Sequence, residues 1–184
     1  MWATSTASGS VFDLNARRAA KASAGALARG AAMRSIGPGQ KLYWEFRLLG
    51  DAGDFSGNGT AGFFRPGLAN NNYPTTGPAG GYLGGGADSF SCLANGSIGG
   101  GADANYALVS GSVVSMWVDY TAGQFFYKVN NGLTRTIALI TNSGSVLPAY
   151  EIDTSASTNA SVEGLFKTSE LVYALPSGFT ALGG

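Results

Sequence analysis

The stretch Val113-Val114-Ser115-Met116-Trp117-Val118-Asp119-Tyr120-Thr121-Ala122-Gly123-Gln124-Phe125-Phe126-Tyr127-Lys128-Val129-Asn130-Asn131-Gly132 decides how this chain folds. Val114, Met116, Val118 and Tyr120 point one way and Ser115, Trp117 and Asp119 the other, which is the period of two that a half-buried strand imposes. Thr121-Ala122-Gly123 turns the chain into a second run, Gln124 to Val129. Asn130-Asn131-Gly132 then closes that run with an Asn-Gly signal. The reading is a β-hairpin followed by a second tight turn.

Working outward, Ile36-Gly37-Pro38-Gly39-Gln40 is a turn that opens a strand from Lys41 to Leu49. Tyr43 and Trp44 fall on opposite faces of it, so one aromatic is expected to reach the deepest core. Residues 1–10 read as an N-terminal arm. An alanine-rich run (NARRAAKASAGALARGAAMRS, 15–35) follows, with Val11 to Leu14 before it and Leu27 to Met33 within it as strand candidates. Alanine, arginine and lysine favour helix there, but Gly25 and Gly30 interrupt it. Strands are the favoured reading and a helix across 15–30 is the alternative.

The 50–111 stretch holds 17 glycines and reads as short strands joined by long loops. Gly62-Phe63-Phe64, Gly81-Tyr82-Leu83 and Ser89 to Leu93 are its strand candidates. Ala69-Asn70-Asn71-Asn72-Tyr73-Pro74 reads as loop and Ala94-Asn95-Gly96-Ser97 as a hairpin turn. The pentapeptide GGGAD occurs at Gly84–Asp88 and Gly99–Asp103; two copies bring too few oxygens for a calcium array and read as loops flanking a hairpin. Thr134–Thr141, Leu147–Ile152 and Ser161–Phe166 complete the strands, before a tail from Leu175 to Leu182. The expected fold class is all-β, an antiparallel two-sheet jelly-roll-like sandwich, in one domain over 1–184.

Composition agrees. Glycine, at 29 of 184 residues, argues for turns and against a helical bundle. Only 12% of residues are charged and the net charge is zero, so no global field draws the chain to nucleic acid or an anionic membrane. Seven of the eleven basic residues fall in the first fifty positions, against Asp13 and Glu45 alone. Arg17, Arg18, Lys21, Arg29 and Arg34 therefore form either a solvated face or a docking surface for an acidic protein neighbour. Cys92 is single and reads as a buried, inert thiol. The start of the chain lacks a signal peptide and no run approaches membrane-spanning length, so a soluble product made in a cytoplasm is expected. The sequons at Asn58, Asn95 and Asn159 carry little weight without a secretory signal.

Chemistry has few candidates. Histidine is absent, which removes the commonest general base and metal ligand and rules out Ser-His or Cys-His systems within one chain. Asp51/Asp54 and Glu151/Asp153 are the carboxylate pairs nearest to a sandwich glycosidase arrangement, and the second pair shares a strand face. No phosphate loop, nucleotide fingerprint or metal set is present, so no cofactor and no metal is expected. Binding has more to work with. Asn70, Asn71, Asn72, Tyr73, Tyr82 and Tyr106 supply the amides and aromatic faces that sugars need, or are ordinary turn and core residues.

Leu42-Tyr43-Trp44-Glu45-Phe46, the Val114–Gly132 hairpin, Leu147-Pro148-Ala149-Tyr150 and the closing Pro176 to Leu182 together resemble the SPRY family of concanavalin-like sandwiches. The likeness covers roughly residues 10 to 182, with Thr60 to Phe64 a looser match and Val162-Glu163-Gly164-Leu165-Phe166 a departure from the family's "NFG" step. In its bare domain and Gly/Ala/Ser/Thr-rich loops the chain is most similar to the version found in bacteriophage structural proteins. That resemblance implies a non-enzymatic virion protein on capsid or tail, a decoration protein or adhesin. Its expected partners are other virion proteins, copies of itself and a host surface glycan, with no nucleic acid and no membrane insertion. A free-standing carbohydrate- or peptide-binding lectin is the alternative, and a sandwich glycosidase a third.

Overall fold

A computed structural model describes residues 1, 10–13, 17–21, 28–50, 63–70, 83, 89–91, 97–98, 101–102, 108–139, 144–153 and 160–184. Its strands are β1 (Ser10–Asp13), β2 (Arg18–Lys21), β3 (Ala28–Ala31), β4 (Lys41–Leu49), β5 (Phe63–Asn70), β6 (Ser89–Ser91), β7 (Ser97–Ile98) and β8 (Gly101–Ala102). They continue with β9 (Val113–Asp119), β10 (Gln124–Val129), β11 (Arg135–Ala138), β12 (Val146–Asp153), β13 (Ser161–Leu165) and β14 (Thr180–Ala181). A single 3-10 turn, Thr168–Glu170, is the one helical element among the described residues.

The hairpin organises the larger sheet. β9 and β10 pair antiparallel from Asp119↔Gln124 to Val114↔Val129. In the next turn, from β10 to β11, Asn130 and Asn131 both adopt positive φ, 48° and 58°, as the mirror-image hairpin turn requires, and the Gly132 N–H closes it on the Val129 carbonyl at 2.8 Å. From that pair the sheet extends in the order β1-β2-β13-β4-β9-β10-β11, with β14 added parallel to β4 at Thr180↔Leu42. The second sheet runs β3-β12-β5-β6, and β7-β8 form a small separate ladder.

The two sheets enclose an aromatic core. Trp44, Phe46, Val114, Met116, Phe125 and Tyr127 of the large sheet share a buried cluster with Leu68, Phe90, Tyr150 and Ile152 of the small one. Phe90 meets Phe125 edge-on at 4.8 Å, and Trp44 stacks on Phe125 at 6.4 Å. The architecture is thus the expected two-sheet antiparallel sandwich.

Local expectations fare unevenly. The helix alternative over 15–30 fails at 18–21 and 28–30, which are strands. Ala19 in β2 lies opposite Val162 and is fully buried, so packing between β1 and β13 outweighs helical propensity. β5 runs on through Ala69 and Asn70, which the sequence places in a loop; both pair with β12. Pro66 is tolerated inside β5 because the β6 ladder begins one residue later, at Gly67. Leu83 lies in a turn rather than a strand. Gly101-Ala102 of the second GGGAD copy forms β8, so that copy is not all loop. The first copy, the 94–96 turn and Cys92 lie outside the described residues.

Candidate interaction surface

Strand alternation puts Tyr43, Glu45, Ser115 and Trp117 on the outer face of the large sheet, yet all four are buried. The chain between Leu171 and Leu182 covers them. Glu45, fully buried, is the fastening point. It accepts hydrogen bonds from the Tyr43 hydroxyl at 2.6 Å, the Val172 N–H at 2.6 Å, the Tyr173 N–H at 3.1 Å and, more weakly, the Ser115 hydroxyl at 3.4 Å. Burial, and then the bond to Glu45, push the Tyr43 hydroxyl well above the ordinary phenol range. Around this point Trp117 stacks on Phe126 at 5.5 Å, Phe179 meets Phe126 edge-on at 6.4 Å, and the Lys128 ammonium sits 5.2 Å from the Tyr173 ring centre. The end of the segment is held by Leu182, whose N–H donates to the Tyr43 carbonyl at 2.8 Å and whose carbonyl accepts from Arg34 at 2.6 Å.

The outer face of the small sheet follows the same plan. Arg29, Arg65 and Glu151 lie on it in register across β3, β12 and β5. Glu151 is fully buried, ion-paired with Arg65 and with Arg29 at 3.3 Å, and it accepts the Leu83 N–H at 3.2 Å. Burial pushes its carboxyl up, against the pull of Arg65 and then Arg29. Leu83 packs on Ala31, Ala69 and Ala149, small residues that leave room for it. Glu151 therefore fastens an irregular segment to a sheet, as Glu45 does. Of the Glu151/Asp153 pair, Glu151 is closed off from solvent, and Asp153 is the last residue of β12.

Several basic residues of the N-terminal region pair with carboxylates or a carbonyl. Arg17 pairs with Glu163 at 2.7 Å and Glu170 at 3.5 Å, and Arg47 joins Glu163 at 2.9 Å. Arg29 serves Glu151 and Arg34 serves Leu182. Arg18 is half-buried in β2, opposite Glu163, and Lys21 ends that strand opposite Ser10. Arg17, Arg18 and Lys21 thus belong to the large sheet and Arg29 to the small one. Lys41 pairs with Asp119 at 2.6 Å, and this contact, with the Ala122 N–H, holds the Asp119 carboxyl below its ordinary range.

Of the sugar-binding candidates, Asn70 ends β5, half-buried and opposite Val146. Asn71, Asn72, Tyr73, Tyr82 and Tyr106 lie outside the described residues, although Leu83, next in the chain to Tyr82, is the residue that Glu151 fastens. Among the described residues no group of three His, Cys, Asp or Glu could hold a metal ion, and no helix is long and apolar enough to cross a membrane. The sequence reading missed Glu45, Glu163 and Glu170 as structural centres. A signal for Glu45 was present: it shares a strand face with Tyr43, two residues earlier, in a run otherwise apolar.

No protein-family model and no curated protein matches the chain. Solved structures do. The chain is similar to the SPRY domain of human HERC1, with a TM-score of 0.65 at 12% identity, covering 90% of this chain and 97% of that one. It is similar to a second human SPRY domain, with a TM-score of 0.61 at 15% identity over 86% and 96%. The PSpry domain of TRIM65 follows, with a TM-score of 0.58 at 13% identity over 88% and 89%. At such identities the likeness speaks for architecture, and the architecture of this chain is that of a SPRY-like β-sandwich.

Proposed function

We propose that this chain is a non-enzymatic binding module that docks on other proteins, and that its setting is the surface of a bacteriophage particle, on capsid or tail. The observation that carries the binding reading is the use made of the buried acids. Glu45, Glu151 and Glu163 are each spent on fastening a segment or a strand, through N–H donors or guanidinium groups, and none is presented to a ligand as an acid or base. Such a scaffold holds irregular segments on rigid sheets, which is how loops become recognition surfaces. The SPRY-like fold supports the same reading by analogy. The virion setting is supported by the sequence resemblance and by the low charge, since few charges need desolvation when a protein packs against neighbours.

The test is made on particles of the phage whose genome carries the coding sequence. Mass spectrometry of gradient-purified particles should find the chain, and antibody to it should decorate their surface in electron micrographs. Absence from purified particles overturns the virion setting. Turnover of a polysaccharide that is lost in Glu151→Gln would overturn the non-enzymatic reading. Saturable binding of the isolated chain to a glycan array, without particle association, would favour the lectin alternative.

A further inference from the structure

Strand β11 lies at the edge of the large sheet: it pairs with β10, and among the described residues no strand pairs with its other side. The hydrogen-bond phase of that ladder is fixed at its end, where the Leu139 N–H donates to the Gly123 carbonyl at 2.9 Å. Antiparallel partners alternate between pairs that exchange hydrogen bonds and pairs that do not. Counting back from Leu139, Ile137 and Arg135 bond inward to Phe125 and Tyr127, so the backbone N–H and C=O of Thr136 and Ala138 face away from β10. Thr136 and Ala138 are exposed, and Leu133, just before the strand, is 75% exposed, more than any other large hydrophobic among the described residues. From Leu133 to Leu139 there is no proline, lysine or acid to guard the edge; Arg135 is the one charge.

We propose that this edge is a self-association surface, on which β11 pairs antiparallel with β11 of a second copy about a two-fold axis at Thr136. The occupant follows from the register. Outward-facing groups at 134, 136 and 138 must pair with one another. A two-fold centred on Arg135 would set two guanidinium chains opposite each other, which is unfavourable. Centring on Thr136 puts Arg135 opposite Ile137 and the exposed Leu133 opposite Leu139 of the second copy, and sets no like charges together. Centring on Ile137 uses fewer of the outward pairs. A net charge of zero adds no long-range repulsion between copies. The product is one continuous sheet across two molecules. The edge is short, so the contact is weak between free molecules and gains strength where many copies are held together. This contact is separate from the partner-docking reading above and does not depend on it.

The test uses the full chain. Sedimentation velocity up to millimolar concentration should show a reversible dimer. Thr136→Pro removes an outward N–H and leaves the β10 ladder intact, a position where an edge strand accepts proline; it should abolish the dimer without lowering the melting temperature. In a Cys92→Ala background, Thr136→Cys should crosslink readily under mild oxidation. The Cα separation across a hydrogen-bonded antiparallel pair, about 5.5 Å, lies within disulfide reach. Ser177→Cys, exposed on the C-terminal segment, is the control and should crosslink far more slowly. A wild-type chain monomeric throughout, a dimer undiminished by Thr136→Pro, or equal crosslinking at 136 and 177 would each overturn the proposal. If Thr136→Pro fails to fold, the crosslinking comparison decides alone.

Discussion

Glu45→Gln is the substitution that most directly tests what holds the C-terminal segment on the sheet. Glutamine keeps the volume, so no cavity is made and the change is confined to hydrogen bonding. One carboxylate oxygen accepts the Tyr43 hydroxyl and the Tyr173 N–H, and the other accepts the Val172 N–H at 2.6 Å. An amide can present only one oxygen, so its NH2 must confront either the Val172 N–H or the other two donors. The less costly choice loses the Val172 bond and leaves that donor facing another donor. A bond to a charged acceptor contributes about 1.5–3 kcal/mol, and a stranded buried donor costs about 1–3 kcal/mol. Neutralising a buried carboxylate offsets part of this by removing its desolvation cost. The net loss is about 2 kcal/mol, or a fall of about 4–8 °C in Tm for a domain of this size. The loss should also be local. Hydrogen exchange should quicken at Val172 and Tyr173, which lose their acceptor, while amides of the β9–β10 ladder stay protected. An unchanged Tm with unchanged exchange at those two amides would refute the assignment of Glu45 as the fastening point.

Three further outcomes follow from the same contacts. Glu151→Gln leaves Arg65 and Arg29 around a neutral amide, and should cost about 3 kcal/mol and speed exchange at Leu83; a wild-type melting curve would refute the fastening role. Asp119 has a folded pKa held below its ordinary value of 3.8, first by Lys41 and then by the Ala122 N–H. Its stabilisation is therefore present above about pH 4 and lost as pH falls through the folded value, so Asp119→Asn should flatten the acid limb of urea midpoints measured against pH. An acid limb identical to wild type would contradict this. At Gly164 an added Cβ would overlap the ring of Phe166, which packs edge-on to Phe46 at 6.5 Å. Gly164→Ala should thus cost about 1–3 kcal/mol in denaturant melts, whereas Gly37→Ala, whose Cβ would find its nearest neighbour at 4.0 Å, should be close to neutral.

What could be read from the chain in advance divides along a physical line. The β9–β10 hairpin was legible because its information is local: alternation sets the faces, Thr121-Ala122-Gly123 makes its turn, and Asn130-Asn131-Gly132 ends its second strand. β2 was not, because Arg18-Ala19-Ala20-Lys21 has the propensity of a helix and becomes a strand only by lying between β1 and β13. Alternation misled at the outer face of the large sheet. A period of two lets only one of Tyr43 and Trp44 into the core between the sheets, and that one is Trp44; it also suggests one wet face, yet the structure buries Tyr43 on the outer face as well. The tail that covers Tyr43 returns from more than a hundred residues away, and no window on β4 contains it. The partners of the N-terminal basic residues are hidden from the sequence for the same reason. Their clustering suggested a solvated face or a docking surface; the structure adds that Arg17 pairs with Glu163 and Glu170, and Arg29 with Glu151, all supplied by the last third of the chain. In a chain with so few charges, acids and bases far apart in sequence are brought together by the sheets. A charge surplus counted along one end therefore says less about partners than about which distant segments that end must hold.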